Sequence, residues 1–199
     1  MVMSMLELVE TEVKDHHGVL FSGVNLELGS AALGSLVVPS PWGRNALGLV
    51  AAGRMRPDNG QVLFNGADST AELRRASALV DAPGLTAPEH HMKVKGLTAE
   101  TLGLQPRPHG GKRPRAAEWL EQHDAADLAA EPVEALDPQV RLWLLIELAF
   151  ADPAVHLAVV ESPDRHGLPE EELAETLRYA TGDGRSVLAI LSTEKEALL

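Results

Sequence analysis

Three strand-length runs, 35–38, 155–160 and 186–191, are apolar almost without interruption, and each stands beside a helix-like segment. A strand that is apolar on both faces needs cover on both faces. Helices supply that cover when they alternate with strands, which makes the sheet parallel. This pattern predicts an α/β fold. Other runs fit around it. Residues 6–13 and 19–28 read as two strands, and 61–64 is a strand followed by an Asn65-Gly66 turn. A helix is expected over 45–52, closing at Gly53, and a short one over 71–75 that leads into a buried strand at 76–80.

From about residue 83 to 132 the texture changes. Pro83, Pro88, Pro106, Pro108 and Pro114 punctuate it, Gly110-Gly111 sits mid-way, and 116–130 reads as one Ala-rich helix. The expectation is a single domain over 1–199 with an inserted, mostly helical subdomain at 82–135. Beyond it, Asp137-Pro138 is an N-cap followed by a proline at the first helical position, opening a helix to about 151. A second amphipathic helix is expected over 169–181, opened by Glu170, Glu171 and Glu172.

Charge and composition narrow the partners. The chain of 199 residues has 17 Lys and Arg against 29 Asp and Glu, a formal charge of -12. Such a balance disfavours generic binding to nucleic acid or to an anionic membrane surface. Aromatic residues make up 4%, too few for stacking platforms, and with no Cys there is no disulfide, zinc thiolate or thiol nucleophile. No apolar stretch approaches the ~20 residues of a membrane span. The opening residues have neither the basic start nor the apolar centre of a signal peptide. A cytoplasmic protein, peripheral to a membrane complex at most, is the expectation.

In α/β folds, ligands sit at the carboxyl ends of the strands. After strand 35–38 the chain reads Val38-Pro39-Ser40-Pro41-Trp42-Gly43-Arg44-Asn45, then a helix, then Gly53-Arg54-Met55-Arg56-Pro57-Asp58-Asn59-Gly60-Gln61-Val62 with Gly66 beyond. This stretch resembles the P-loop, first helix and following strand of ABC-type ATPases, the nucleotide-binding domains of ABC transporters. The remainder follows in the same order. Asp81 falls at the Q-loop glutamine, 136–140 at the signature, Glu161-Ser162-Pro163 at the Walker B end, Gly167-Leu168-Pro169 near the D-loop, and Ser192 at the switch histidine. The resemblance implies a P-loop NTPase-like core with a mostly parallel sheet and an N-terminal antiparallel part. It offers ATP and magnesium as cofactors, though no cofactor follows from the residues themselves.

The chemistry departs from the pattern. A working P-loop follows G-x-x-x-x-G-K-[ST]. Here Val38 takes the first Gly, Arg44 the Lys and Asn45 the hydroxyl position, while Gly43 remains. Pro39 and Pro41 bring no N–H to a phosphate. Ser162 has no useful base function at the catalytic carboxylate's position. Phosphoryl transfer depends on positioning and charge stabilisation, so these losses together argue against hydrolysis, and no catalytic residue is assigned. Two readings stand for Arg44, a kept phosphate contact or a solvated residue at the helix start. Two also stand for Trp42, a plug in the vacated phosphate site or an exposed aromatic.

The expected function is therefore a degenerate ABC-type ATP-binding domain acting through protein contacts. Its partner would be a homologous ATPase domain, a second copy or a membrane permease subunit. The alternatives are a nucleotide-binding ATPase subunit with unorthodox motifs, or a switch that binds nucleotide without cleaving it. His16-His17 and His90-His91 lack ligand spacing, so no metal site is expected. The basic run Arg107, His109, Lys112, Arg113 and Arg115 reads as a solvated loop rather than a docking patch.

Overall fold

In the computed structural model, residues 4–106 and 114–198 are described; Arg107, His109, Lys112 and Arg113 of the basic run lie outside them. Among the described residues seven strands form two sheets. The first is antiparallel, in the order β2 (Gly18–Gly29), β1 (Ser4–Asp15), β4 (Asn59–Phe64). The second is parallel, in the order β3 (Leu33–Val37), β7 (Ser186–Leu191), β6 (Leu157–Glu161), β5 (Ser77–Val80). This is the α/β architecture the apolar runs predict. The central pair is β6 and β7, apolar except for Glu161 at the end of β6 and Ser186 at the start of β7, and every residue in them is buried.

Alternation along β6 and β7 divides the core. Leu157, Val159, Leu188 and Ile190 pack with Leu47, Val50 and Ala51 of α1 (Pro41–Ala51) and with the antiparallel sheet. Ala158, Val160, Val187 and Ala189 face the other way. They pack against Leu142 and Ile146 of the helix Pro138–Ala149 and against Leu173 and Leu177 of the helix Glu170–Tyr179. The period of two places one helical layer on each face.

Among the described residues three α-helices lie between α1 and these two, numbered with them in chain order. They are α2 (Thr70–Ala76), α3 (Val94–Leu104) and α4 (Ala116–Gln122); Pro138–Ala149 is α5 and Glu170–Tyr179 is α6. Val94, Leu102, Trp119, Leu120 and Val133 form a third apolar cluster, closed by Leu144 and Leu148 of α5. The 116–130 run is not one helix. α4 stops at Gln122, Asp124 takes a left-handed backbone at φ 53, and a separate 3-10 turn follows at Ala126–Ala130. Asp costs little in that conformation and its residue type favours turns, so it overrides the surrounding alanines.

α1 also starts earlier than expected. Pro41, read in the sequence as part of a loop, is the first helical residue, and the Ser40 side chain caps it by accepting from the Gly43 N–H. Proline at that position lacks a donor that the helix would not have used and has its φ already set. The 38–45 loop thus contracts to three residues, Val38, Pro39 and Ser40. Among the described residues no helix is long and apolar enough to cross a membrane.

Candidate functional site

The short connection between β3 and α1, the ends of β5, β6 and β7, and the start of α5 converge at the carboxyl edge of the parallel sheet. Trp42 lies in the first turn of α1 and is 74% exposed. It fills nothing, so of its two readings the plug is set aside. Gly43 is needed for packing. A Cβ there would stand 2.6 Å from the Leu20 carbonyl and 2.8 Å from Val38, so β2 passes too close for any other residue.

Arg44 is not the solvated residue of its second reading. It is 9% exposed and turned inward. Nη1 donates to the Val38 carbonyl at 2.9 Å and the Pro39 carbonyl at 2.7 Å, and Nε donates to Ser162 Oγ at 2.6 Å. The guanidinium fork thus ties the end of β3 to the end of β6. Ser162 Oγ donates onward to Glu161 Oε1 at 2.6 Å, and that oxygen lies 3.6 Å from Arg44 Nε. Arg44, Ser162 and Glu161 form one buried hydrogen-bonded chain. Burial pushes the Glu161 carboxyl above its usual range, against the opposing pull of the Ser162 hydroxyl and the charges of Arg165 and Arg44.

Ser162 sits at φ 51 and ψ 48, left-handed, with its N–H donated to the Ile190 carbonyl at 2.8 Å. That bend swings the hydroxyl back onto Arg44 and Glu161. Asn45 donates from Nδ2 to the Pro83 carbonyl at 3.4 Å. Asn45 Oδ1, Glu161 Oε2 and Asp164 Oδ1 are buried side-chain oxygens without a hydrogen-bond partner among the described residues. Ser192 lies beyond β7. Its N–H and its hydroxyl both donate to Asp164 Oδ2, so it is held by the turn Pro163–His166.

Asp81 anchors a second cluster. It is 2% exposed and left-handed, at φ 58, just past β5. Arg141 of α5 grips it with both terminal nitrogens at 2.6 Å, a bidentate pair. Arg165 Nη2 stands 2.8 Å from Oδ1, and His166 Nε2 lies 3.0 Å from Oδ2. Burial alone would raise the Asp81 carboxyl, but the bonds from Arg141 and His166 and the charges of Arg141 and Arg165 outweigh it and hold it at about 2. The two clusters meet at Arg165, whose Nη1 donates to the carbonyls of Asp81 at 2.7 Å and Glu161 at 3.0 Å.

The residues expected at the site are therefore neighbours, except that Trp42 points away and Ser192 joins only through Asp164. Arg141, Arg165, His166 and Asp164 were not singled out in the sequence. A local signal existed for three of them: Asp-Arg-His directly after Ser162-Pro163, three charged or polar residues where a buried strand ends. His16, His17, His90 and His91 are all exposed, with His90 and His91 paired to Glu134 at 2.7 and 3.4 Å, and His90 lines a cavity shared with Arg141, Arg165 and His166. Among the described residues, no group of three His, Asp or Glu could hold a metal.

No family model matches the chain, and no curated protein does. Solved structures do. The cbiO1 structure from Clostridium perfringens, part of the ABC transporter complex cbiONQ, superimposes with a TM-score of 0.66 at 14% identity, covering 96% of this chain and 79% of that one. A nucleotide-free ATP-binding cassette from an ABC transporter gives a TM-score of 0.65 at 16% identity, covering 95% and 81%. A Pyrococcus furiosus chain assigned as the ATP-binding protein of an ABC transporter gives 0.67 at 11% identity, covering 96% and 92%. At such identities the likeness speaks for fold. The chain has the fold of the ATP-binding domains of ABC transporters, with an antiparallel β part beside a parallel sheet and helices.

Proposed function

We propose that this chain is an ABC-type domain that no longer hydrolyses ATP and works through protein contacts. The observation that carries the reading is Arg44. It stands where the resemblance places the phosphate-binding lysine, yet its guanidinium is committed to Val38, Pro39 and Ser162. A phosphate group there would have to displace three hydrogen bonds and reopen a connection that is already helical from Pro41. Two of the cradle's N–H groups are spoken for as well. Gly43 N–H serves the Ser40 cap and Arg44 N–H donates to the Ser40 carbonyl at 2.9 Å.

These residues do not fit a magnesium–nucleotide complex. Asn45 Oδ1 and Glu161 Oε2 are oxygens of the kind magnesium takes. But a guanidinium already stands beside Glu161, and Asp81 is occupied by Arg141, Arg165 and His166. Nor does Ser162 serve as a base, its hydroxyl being spent on Glu161. The two unpartnered oxygens are also what favours the second reading, a nucleotide-binding subunit with unorthodox motifs, because they would be satisfied by a cation.

The partner we infer is another protein: a homologous ATPase domain, a second copy or a permease-type membrane subunit, with this chain cytoplasmic and peripheral. No nucleic acid is implied. The segment 82–135, with its own apolar cluster, would be the helical subdomain of a single domain over 1–199. Between it and the edge strand β5 runs an apolar groove of about 570 Å³ bordered by Arg54, Arg74 and the exposed Leu104, a surface suited to a cytoplasmic segment of a membrane subunit. Steady-state phosphate release measured with ATP and magnesium tests the reading. Background rates are expected, and magnesium-dependent turnover lost in Arg44→Ala would end it.

A further inference from the structure

A second surface lies between the outer faces of α5 and α6. Val140 and Trp143 form one wall and Thr176 and Tyr179 the other, each pair at helical spacing, around a cavity of about 280 Å³. The cavity continues past Trp143 and Tyr179 into another of about 390 Å³ that ends at the turn 180–185. This groove does not overlap the residues around Arg44.

Its aromatic content is out of proportion. The chain has three Trp, one Tyr and three Phe. Phe21, Phe64, Phe150 and Trp119 are buried. Of the remaining three, two line this groove, with Tyr179 76% exposed at the last residue of α6. Large aromatic side chains left partly in water are the kind that anchor interfaces.

The charge around it is mostly negative. Asp124, Glu147, Glu175 and Asp183 line the two cavities, against a single guanidinium, that of Arg185. Arg185 is itself engaged, 3.2 Å from Glu147 and 5.0 Å above the Phe150 ring. An aromatic floor rimmed by carboxylates complements a segment carrying Lys or Arg. The apolar stems of such residues would lie on Trp143 and Tyr179 with their charged heads at the rim.

We propose that the α5–α6 groove docks a basic, amphipathic segment of a partner protein. The test uses the full chain and a fluorescein-labelled 16-residue peptide with Lys and Leu at helical spacing, read by anisotropy at two salt concentrations. A peptide with Glu in place of each Lys is the control. The Lys peptide should bind and the Glu peptide should not. Tyr179→Ala should weaken binding by about ten-fold or more. Glu175→Lys with Asp183→Lys should weaken it similarly and flatten its salt dependence. Charge reversal at the distant, exposed Glu27 and Glu72 should change it less than two-fold. Trp143→Ala should behave as Tyr179→Ala does; if it fails to fold, the exposed Tyr179 carries the test alone. Equal loss from the Glu27 and Glu72 reversals, or none from Tyr179→Ala, would overturn the proposal and leave only the general acidity of the chain. Self-association abolished by Tyr179→Ala would also overturn it, giving the groove to a second copy.

Discussion

Arg44 Nε donates to Ser162 Oγ at 2.6 Å across 118 positions of sequence. The bond joins the two places where the resemblance expects the phosphate-binding lysine and the catalytic carboxylate. The contact staples the ends of β3 and β6 together.

Arg44→Ala should therefore cost stability. It would leave the carbonyls of Val38 and Pro39 short of donors and remove the positive neighbour of Glu161. Because burial already raises the Glu161 carboxyl, protonation would absorb part of the loss. The expected destabilisation is about 2–3 kcal/mol, read from urea unfolding. Arg44→Lys should fall between, since one ammonium cannot reproduce the fork.

Asp81→Asn should be worse, at roughly 3–5 kcal/mol, because Arg141 and Arg165 would face each other with no anion between them. Combining it with Arg141→Met should recover part of the cost. A double-mutant cycle by chemical unfolding measures that coupling, and strict additivity would mean that the pair does not act as one unit.

Acid should loosen the same cluster. The folded carboxyl of Asp81 titrates at about 2, below its ordinary 3.8, so its contribution is complete above about pH 4 and disappears as pH falls toward 2. The amount is roughly 2 kcal/mol. In Asp81→Asn this part of the pH dependence should be absent from thermal unfolding profiles.

Glu161 has the opposite sign. Its folded carboxyl is raised, so it favours the fold most at low pH and costs stability as pH rises above the ordinary glutamate range. Glu161→Gln should keep the bond from Ser162 and match or exceed the parent protein at pH 8. If Glu161 held a cation instead, the variant would lose a magnesium-dependent rise in melting temperature.

The sheet was readable because β6 and β7 are apolar apart from Glu161 and Ser186 at their ends, and a strand buried on both faces leaves that mark regardless of context. α3 was not, since Gly96 and Gly103 interrupt it and its apolar residues are scattered around the helix. The N-terminus of α1 was misjudged for a local reason, a proline that both breaks and begins helices. The site divides the same way. Order along the chain placed Asp81, Glu161 and Ser162 near the P-loop segment. It could not show where Arg44 points, which depends on Ser162, nor that Asp81 meets Arg141 sixty positions away. Those are choices between partners distant in sequence, and side-chain direction leaves no periodic mark.

The central claim is that Arg44 occupies the place a phosphate would need. Calorimetric titration with ATP and magnesium tests it most directly. The account predicts no saturable heat up to millimolar nucleotide and no shift in melting temperature. Binding tighter than about 100 μM, roughly −5.5 kcal/mol, that disappears in Arg44→Ala would contradict it.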